Sequence, residues 1–251
     1  MSVMTAKRKE GGFAETVRVI FSAFIIAGVI RTVLFQPFNI PSGSMQATLL
    51  VGDYIFVSKY SYGYTAYSLP WTPPLPRLFS GRLFASPLER GDVVVFRLPK
   101  DDSTDYIKRV IGLPGDRIQV REGLLHINDQ PVKRERIEDY IDPDEGDGAR
   151  VKRWRETLPN GVSYTTLDRV ENSLADNTEV YAVPPGHYFM MGDNRDNSQD
   201  SRFPQVGYVP FENVVGRAQI IWFSVGEGEH VWQVWRWPWT IRWSRLLTFV
   251  R

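Results

Sequence analysis

Two short runs hold residues that could carry out acyl-transfer chemistry. Ser44 lies in Phe38-Asn-Ile-Pro-Ser-Gly-Ser-Met, and Lys108 lies in Tyr106-Ile-Lys-Arg-Val-Ile-Gly-Leu-Pro-Gly-Asp. A serine hydroxyl attacks a carbonyl only when a base within hydrogen-bond reach takes its proton. The usual base is histidine, and none of His126, His187 and His230 stands in a triad motif, so each reads as structural. Lysine can act only in its neutral form, which needs burial among apolar groups to lower its pKa by several units from about 10.4. On a strand, Tyr106, Lys108 and Val110 share one face while Ile107, Arg109 and Ile111 share the other, giving Lys108 apolar or aromatic neighbours. On spacing alone an ordinary solvent-facing lysine is the better reading, because nothing in the sequence brings Lys108 to Ser44. With no cysteine in the chain, a thiol enzyme, disulfides and zinc–thiolate sites are excluded.

The elements that would position these residues begin with an apolar segment, Val17 to Phe35, roughly 28 Å long as a helix and matched to the hydrocarbon core of a bilayer. Arg18 and Arg31 lie near its ends, where long basic side chains reach the headgroups. A buried or interfacial helix and a cleaved secretory signal are the alternatives, but small residues are absent between Thr32 and Ile40, where cleavage would fall. Lys7-Arg8-Lys9 favour a cytoplasmic N-terminus, residues 1–16, and place the rest beyond the membrane. With 251 residues, 43% of them hydrophobic, the chain can bury one main domain plus an insertion. A net charge of +1 gives no general attraction to nucleic acid.

Past the anchor, short β-branched and aromatic runs dominate: Tyr54–Ser58, Asp92–Phe96, Tyr106–Ile111, Arg117–Arg121, Leu124–Ile127, His187–Met191 and Ala218–Phe223. The Glu122-Gly123 turn joins two of them in a hairpin. The expected fold is mainly β: one transmembrane helix, 17–35, then an antiparallel catalytic body, 36–125 and 181–225, with a smaller β-rich subdomain inserted at 126–180. Within the insert, Arg134 to Glu179 is polar and charge-dense, and its Asp142/Asp144 turn lacks the order a calcium loop requires, so no metal is expected. Leu69 to Pro87 is a proline-rich apolar loop, packed on the body or dipping into the membrane interface. The tail, 226–251, mixes five tryptophans with arginines, which suits a membrane interface, while packing on the sheet is the alternative.

Four runs occur in a fixed order: Pro41-Ser-Gly-Ser-Met with Thr48-Leu49, Arg90-Gly-Asp-Val-Val-Val-Phe, Tyr106 to Asp116, and Met191-Gly-Asp-Asn-Arg-Asp-Asn-Ser-Gln-Asp-Ser-Arg202. Together they resemble the successive boxes of bacterial type I signal peptidases, from the anchor to about Phe223. The sequence departs at Gln46-Ala47, where the family often has proline before Thr-Leu.

The resemblance implies a serine endopeptidase with Ser44 as nucleophile and neutral Lys108 as base. Ser42, with the Ser44 amide, would form the oxyanion hole. Ser198 would aim the lysine, Asp200 and Arg202 would form a supporting ion pair, and Asp193 and Asn194 would shape the turn beneath. Phe38, Ile40, Met45, Leu49, Tyr106 and Ile107 would line pockets for small residues at substrate positions −1 and −3. The implied partners are signal-peptide-bearing preproteins and the lipid bilayer, with no cofactor and no nucleic acid. The implied location is the bacterial cytoplasmic membrane, single-pass, with the catalytic domain extracytoplasmic. Another Ser-Lys protease, or a non-enzymatic membrane-anchored β-domain, are the competing readings.

Overall fold

In the computed structural model, residues 12–68, 81–141, 150–226, 228–229 and 232–251 are described. Lys7-Arg8-Lys9, the first part of the proline-rich loop, the Asp142/Asp144 turn and His230 lie outside them. Helix α1 (Gly12–Val29) continues through a π-helical turn at Ile30–Leu34. These 23 residues are long and apolar enough to cross a bilayer, and none of the span packs inside the protein. The helix begins before the expected Val17 because Glu15 sits in its first turn, where the helix dipole favours negative charge. It stops at Phe35, two residues before Pro37, whose ring cannot continue a helix and which disfavours helical backbone at Gln36.

The chain then forms β1 (Phe35–Asn39), β2 (Asp53–Ser58), β3 (Val93–Leu98) and β4 (Asp101–Gly112). Next come β5 (Arg117–Arg121), β6 (Leu124–Ile127), β7 (Gln130–Pro131), β8 (Lys133–Ile141), β9 (Arg150–Thr157) and β10 (Ser163–Asp168). The last are β11 (Tyr181–Ala182), β12 (His187–Met191), β13 (Val209–Pro210), β14 (Val214–Ser224) and β15 (Thr248–Phe249). The principal sheet runs β1-β2-β14-β3-β4-β12-β13, with β15 added to β14, and its strand pairs are antiparallel. Pro37, which has no amide to donate, is tolerated because β1 is an edge strand.

Alternation along β3 explains the core. Val93 and Val95 point into a cluster with Ile55, Val57, Val215 and Ile221, whereas Val94 and Phe96 point to the opposite face with Val110, Tyr188 and Val214. A sheet buried on both faces holds its strands in register, because a one-residue slip would exchange the two sets. Strands β5, β6, β7 and β11 form a separate four-stranded sheet, and β8, β9 and β10 form a three-stranded one. The boundary expected at residue 126 therefore falls inside β6, and the distinct subsheet is confined to 133–168.

The tail is tied to the body. Ile241 bridges Val225 and packs with Phe223, β15 joins β14, and Arg245 pairs with the buried Asp53 while donating to Thr48 O at 3.0 Å. Trp232, Trp235, Trp239 and Trp243 nevertheless remain exposed.

Candidate active site

Ser44 lies in a 3₁₀ turn, Gly43–Met45, inside the loop from β1 to β2, and the turn packs on β4. That packing brings together what the sequence separates: Lys108 Nζ is 2.6 Å from Ser44 Oγ. Both side chains are buried, with 4% of Lys108 and 7% of Ser44 exposed. Burial pushes the lysine pKa down to about 8, against the opposing pull of the Asp200 and Asp193 carboxylates. The amine's other hydrogen bond is to Ile107 O at 3.0 Å, and its nearest ring is Tyr106, 5.4 Å away. The solvent-facing reading of Lys108 is thus overturned by its burial.

Ser42 Oγ lies 3.5 Å from Ser44 Oγ and is exposed, on the open side of the turn. The amides that open a helical turn have no partner within the helix, so the Ser44 N–H is sited to donate outward. Ser198 is buried against Gly192, but no hydrogen bond joins its hydroxyl to Lys108. The amine is instead held by the Ile107 carbonyl. Asp200 and Arg202 form a buried ion pair, Nη2 to Oδ2 at 2.9 Å. Burial alone would raise the Asp200 carboxyl, but the Arg202 guanidinium outweighs it and holds the pKa below the usual carboxylate value.

Asp193 and Asn194 brace the Ser44 turn from below. The Asn194 amide donates to Ser44 O at 3.1 Å, and its side-chain Nδ2 donates to Gly43 O at 3.0 Å. Asp193 accepts from Thr48 Oγ1 at 2.5 Å and from Arg109 at 2.8 and 2.7 Å. Arg109 is wholly buried and stacks over Tyr164. Its importance escaped the sequence reading, which placed it on the apolar Ile107/Ile111 face without a partner. The only available signal was that a charge on such a face requires one. Arg195, bound to the buried Glu156, was likewise missed.

Of the six expected pocket residues, Phe38, Ile40, Met45, Leu49 and Ile107 share one cluster. Tyr106 belongs to the cluster on the other face. Ile40, Met45 and Leu49 are buried, while Phe38, Ile107 and Tyr106 retain accessible surface. Ala47 stands where the resemblance leads one to expect proline, and its φ of 107° is one that proline cannot adopt. A non-glycine residue held there stores about 1–3 kcal/mol of strain, so the surrounding bonds must over-determine the turn.

His126 Nδ1 and His187 Nδ1 each lie 2.9 Å from a nearby backbone carbonyl, that of Leu124 and of Pro185, consistent with structural roles. A serine beside a buried lysine, on an antiparallel β body carrying one apolar N-terminal helix, fits the class of serine hydrolases that work without histidine. A family model described as "Signal peptidase, peptidase S26" matches residues 13–223. The chain is 49% identical over 220 residues to a signal peptidase I of Rickettsia typhi, covering 84% of this chain and 81% of the relative. It is 47% identical over 226 residues to a signal peptidase I of Rickettsia conorii, covering 88% and 80%. A solved signal peptidase I from Enterococcus faecalis V583 matches with a TM-score of 0.31 and 27% identity, covering 53% of this chain and 97% of that one. The chain belongs to the signal peptidase family, peptidase S26, and is a serine endopeptidase.

Proposed function

We propose that this chain removes N-terminal signal peptides from exported preproteins at the outer face of the cytoplasmic membrane, through a Ser44–Lys108 dyad. The observation that carries the reading is the 2.6 Å approach of a buried lysine amine to a buried serine hydroxyl. Neutral Lys108 takes the Ser44 proton as Oγ adds to the scissile carbonyl. The oxyanion is met by the Ser42 hydroxyl and the Ser44 amide, donors that typically contribute about 3–4 kcal/mol each. Collapse breaks the peptide C–N bond, and the departing amine takes its proton from the lysine ammonium. A water molecule, deprotonated by the same lysine, then hydrolyses the Ser44 ester. Ser198 acts by packing beneath the turn, and Asp200 with Arg202 fixes the local field.

Substrate selection follows from the shape of the site. A floor of Ile40, Met45 and Leu49, walled by Phe38 and Ile107, admits small residues at −1 and −3 and rejects larger ones by size. Helix α1 holds the body against the bilayer, where signal-peptide cleavage sites emerge, and so raises the local substrate concentration. Exposed Leu83 and Phe84 lie beside the helix exit, because Tyr64 bridges Leu83 through its backbone and donates its hydroxyl to Val33 O. With the exposed tail tryptophans they form the surface that meets the membrane interface.

The test is cleavage of a purified preprotein in lipid or detergent by the parent chain, Ser44→Ala and Lys108→Ala, with product N-termini sequenced and folding checked. Cleavage by the parent alone, after small residues at −1 and −3, is expected. Cleavage by either variant would overturn the dyad.

A further inference from the structure

Ser44 belongs to a turn whose restraints come from two places, and only one of them is the loop that follows β12. Gln46, two residues after Ser44, is buried, and among the described residues its amide makes three side-chain hydrogen bonds. Its Oε1 accepts from Asn194 Nδ2 at 3.3 Å and from Arg169 Nη2 at 2.9 Å, and its Nε2 donates to Tyr140 Oη at 3.4 Å. Tyr140 lies on β8 and Arg169 immediately follows β10, so two of these partners come from the three-stranded subsheet.

Arg169 is itself fixed. The amides of Arg169 and Val170 both donate to Asp196 Oδ2, at 2.6 and 3.0 Å. The preceding Leu167 exchanges backbone bonds with the turn beneath the nucleophile, its amide to Asp193 O and its carbonyl from the Arg195 amide, each at 2.9 Å. The exit of β10 is therefore built into the floor of the site.

The next residue, Ala47, explains why such a brace is needed. At φ 107° its backbone leans toward relaxation, and alanine lacks the ring by which proline fixes its own φ. The turn is held on its far side by Thr48, bonded to Asp193, and by the fully buried Leu49. On its near side, toward Ser44, the Gln46 side-chain amide adds to the Asn194 bonds to Ser44 O and Gly43 O. We propose that Gln46 and Arg169 are positioning residues that clamp the strained turn at Ala47, so that the inserted subsheet sets the aim of the Ser44 hydroxyl. This rests on Ser44 being the nucleophile, as proposed above.

The experiment uses the full chain in lipid vesicles or detergent and a purified preprotein with alanine at −1 and −3. Rates are measured for the parent, Ser44→Ala, Gln46→Ala, Arg169→Met, Arg169→Lys, Tyr140→Phe, and Gln46→Ala combined with Ala47→Gly, with thermal midpoints for all. Gln46→Ala and Arg169→Met are expected to lower kcat tenfold or more with KM within about twofold of the parent. Arg169→Lys should recover part of that loss, and Tyr140→Phe should cost under threefold because its bond is long. Adding Ala47→Gly to Gln46→Ala should restore kcat at least threefold, since glycine reaches φ 107° without strain. Unchanged kcat in Gln46→Ala and Arg169→Met overturns the proposal. So does a loss that follows the fall in thermal midpoint and does not recover with Ala47→Gly. Cleavage by Ser44→Ala would refute the nucleophile assignment, a separate result from either of these.

Discussion

Gly192 is the point at which the smallest possible addition should do the greatest harm to the site. A Cβ there would lie 2.2 Å from Ser198 Oγ, 2.5 Å from Ser198 Cβ and 2.6 Å from Ser44 O. The serine hydroxyl could rotate away, but Ser198 Cβ and the Ser44 carbonyl are held by the backbone. Against an ordinary contact of 3.4 Å, the Ser44 carbonyl is short by about 0.8 Å. That displacement is comparable to the error of about 1 Å that costs roughly 100-fold in a positioned reaction. Overpacking of this kind costs about 1–3 kcal/mol, and a chain of this size loses roughly 2–4 °C in Tm per kcal/mol. Gly192→Ala should therefore remain folded, melt several degrees lower, and lose about 100-fold in kcat on a preprotein substrate. The assay pairs initial cleavage rates with thermal unfolding monitored by circular dichroism. A variant that keeps kcat within threefold of the parent would refute the reasoning, whatever its Tm.

Three further outcomes follow from the same geometry. Arg109→Met leaves the buried Asp193 carboxylate without its ion-pair partner and should cost about 3–5 kcal/mol in denaturant unfolding, lowering activity with it. Ala47→Pro should be destabilised by more than 1 kcal/mol and poorly active, because a φ near −65° would displace the turn; a stable, active variant would show that the turn relaxes easily. Lys108→Arg keeps the charge but cannot release a proton near neutral pH, so cleavage should fall at least 1,000-fold at every pH between 6 and 10 on a standard time course.

Where the sequence carried a local pattern, the fold was legible. Arg117–Arg121 and Leu124–Ile127 form the hairpin that alternation and the Glu122-Gly123 turn imply, and His187–Met191 is a strand. The subsheet strands β8, β9 and β10 were not legible individually. Their sequences, such as Lys-Arg-Glu-Arg-Ile-Glu-Asp-Tyr-Ile, are dominated by charge, and they are stabilised by pairing with one another and by buried partners such as Glu156 with Arg195. Ser44 and Lys108 were identifiable by type as candidates, but their meeting depends on sheet order, which brings the β1–β2 loop over β4. Ser198 was placed near the site by the resemblance, while its distance from any hydrogen bond with the lysine is a matter of packing over Gly192. Gln46 stood out only as part of the departure at Gln46-Ala47 and Arg169 not at all, because their contact joins positions 123 residues apart.

In the proposed mechanism a lysine made neutral by burial activates Ser44. Because the folded pKa of Lys108 is lowered to about 8, the amine is mostly protonated below that pH and free to accept a proton above it. The sign for stability agrees: the cost of burying the charge is present below about pH 8 and disappears above the unfolded value near 10.4, so stability from this group rises with pH. The most direct measurement is kcat/KM for preprotein cleavage from pH 6 to pH 10, over the range in which the fold is intact. The account gives a single ionisation near pH 8 that must be deprotonated for activity, and no measurable rate in Lys108→Ala across the range. A rising limb centred near pH 6.5, as for a histidine base, or a profile that persists in Lys108→Ala, would contradict it.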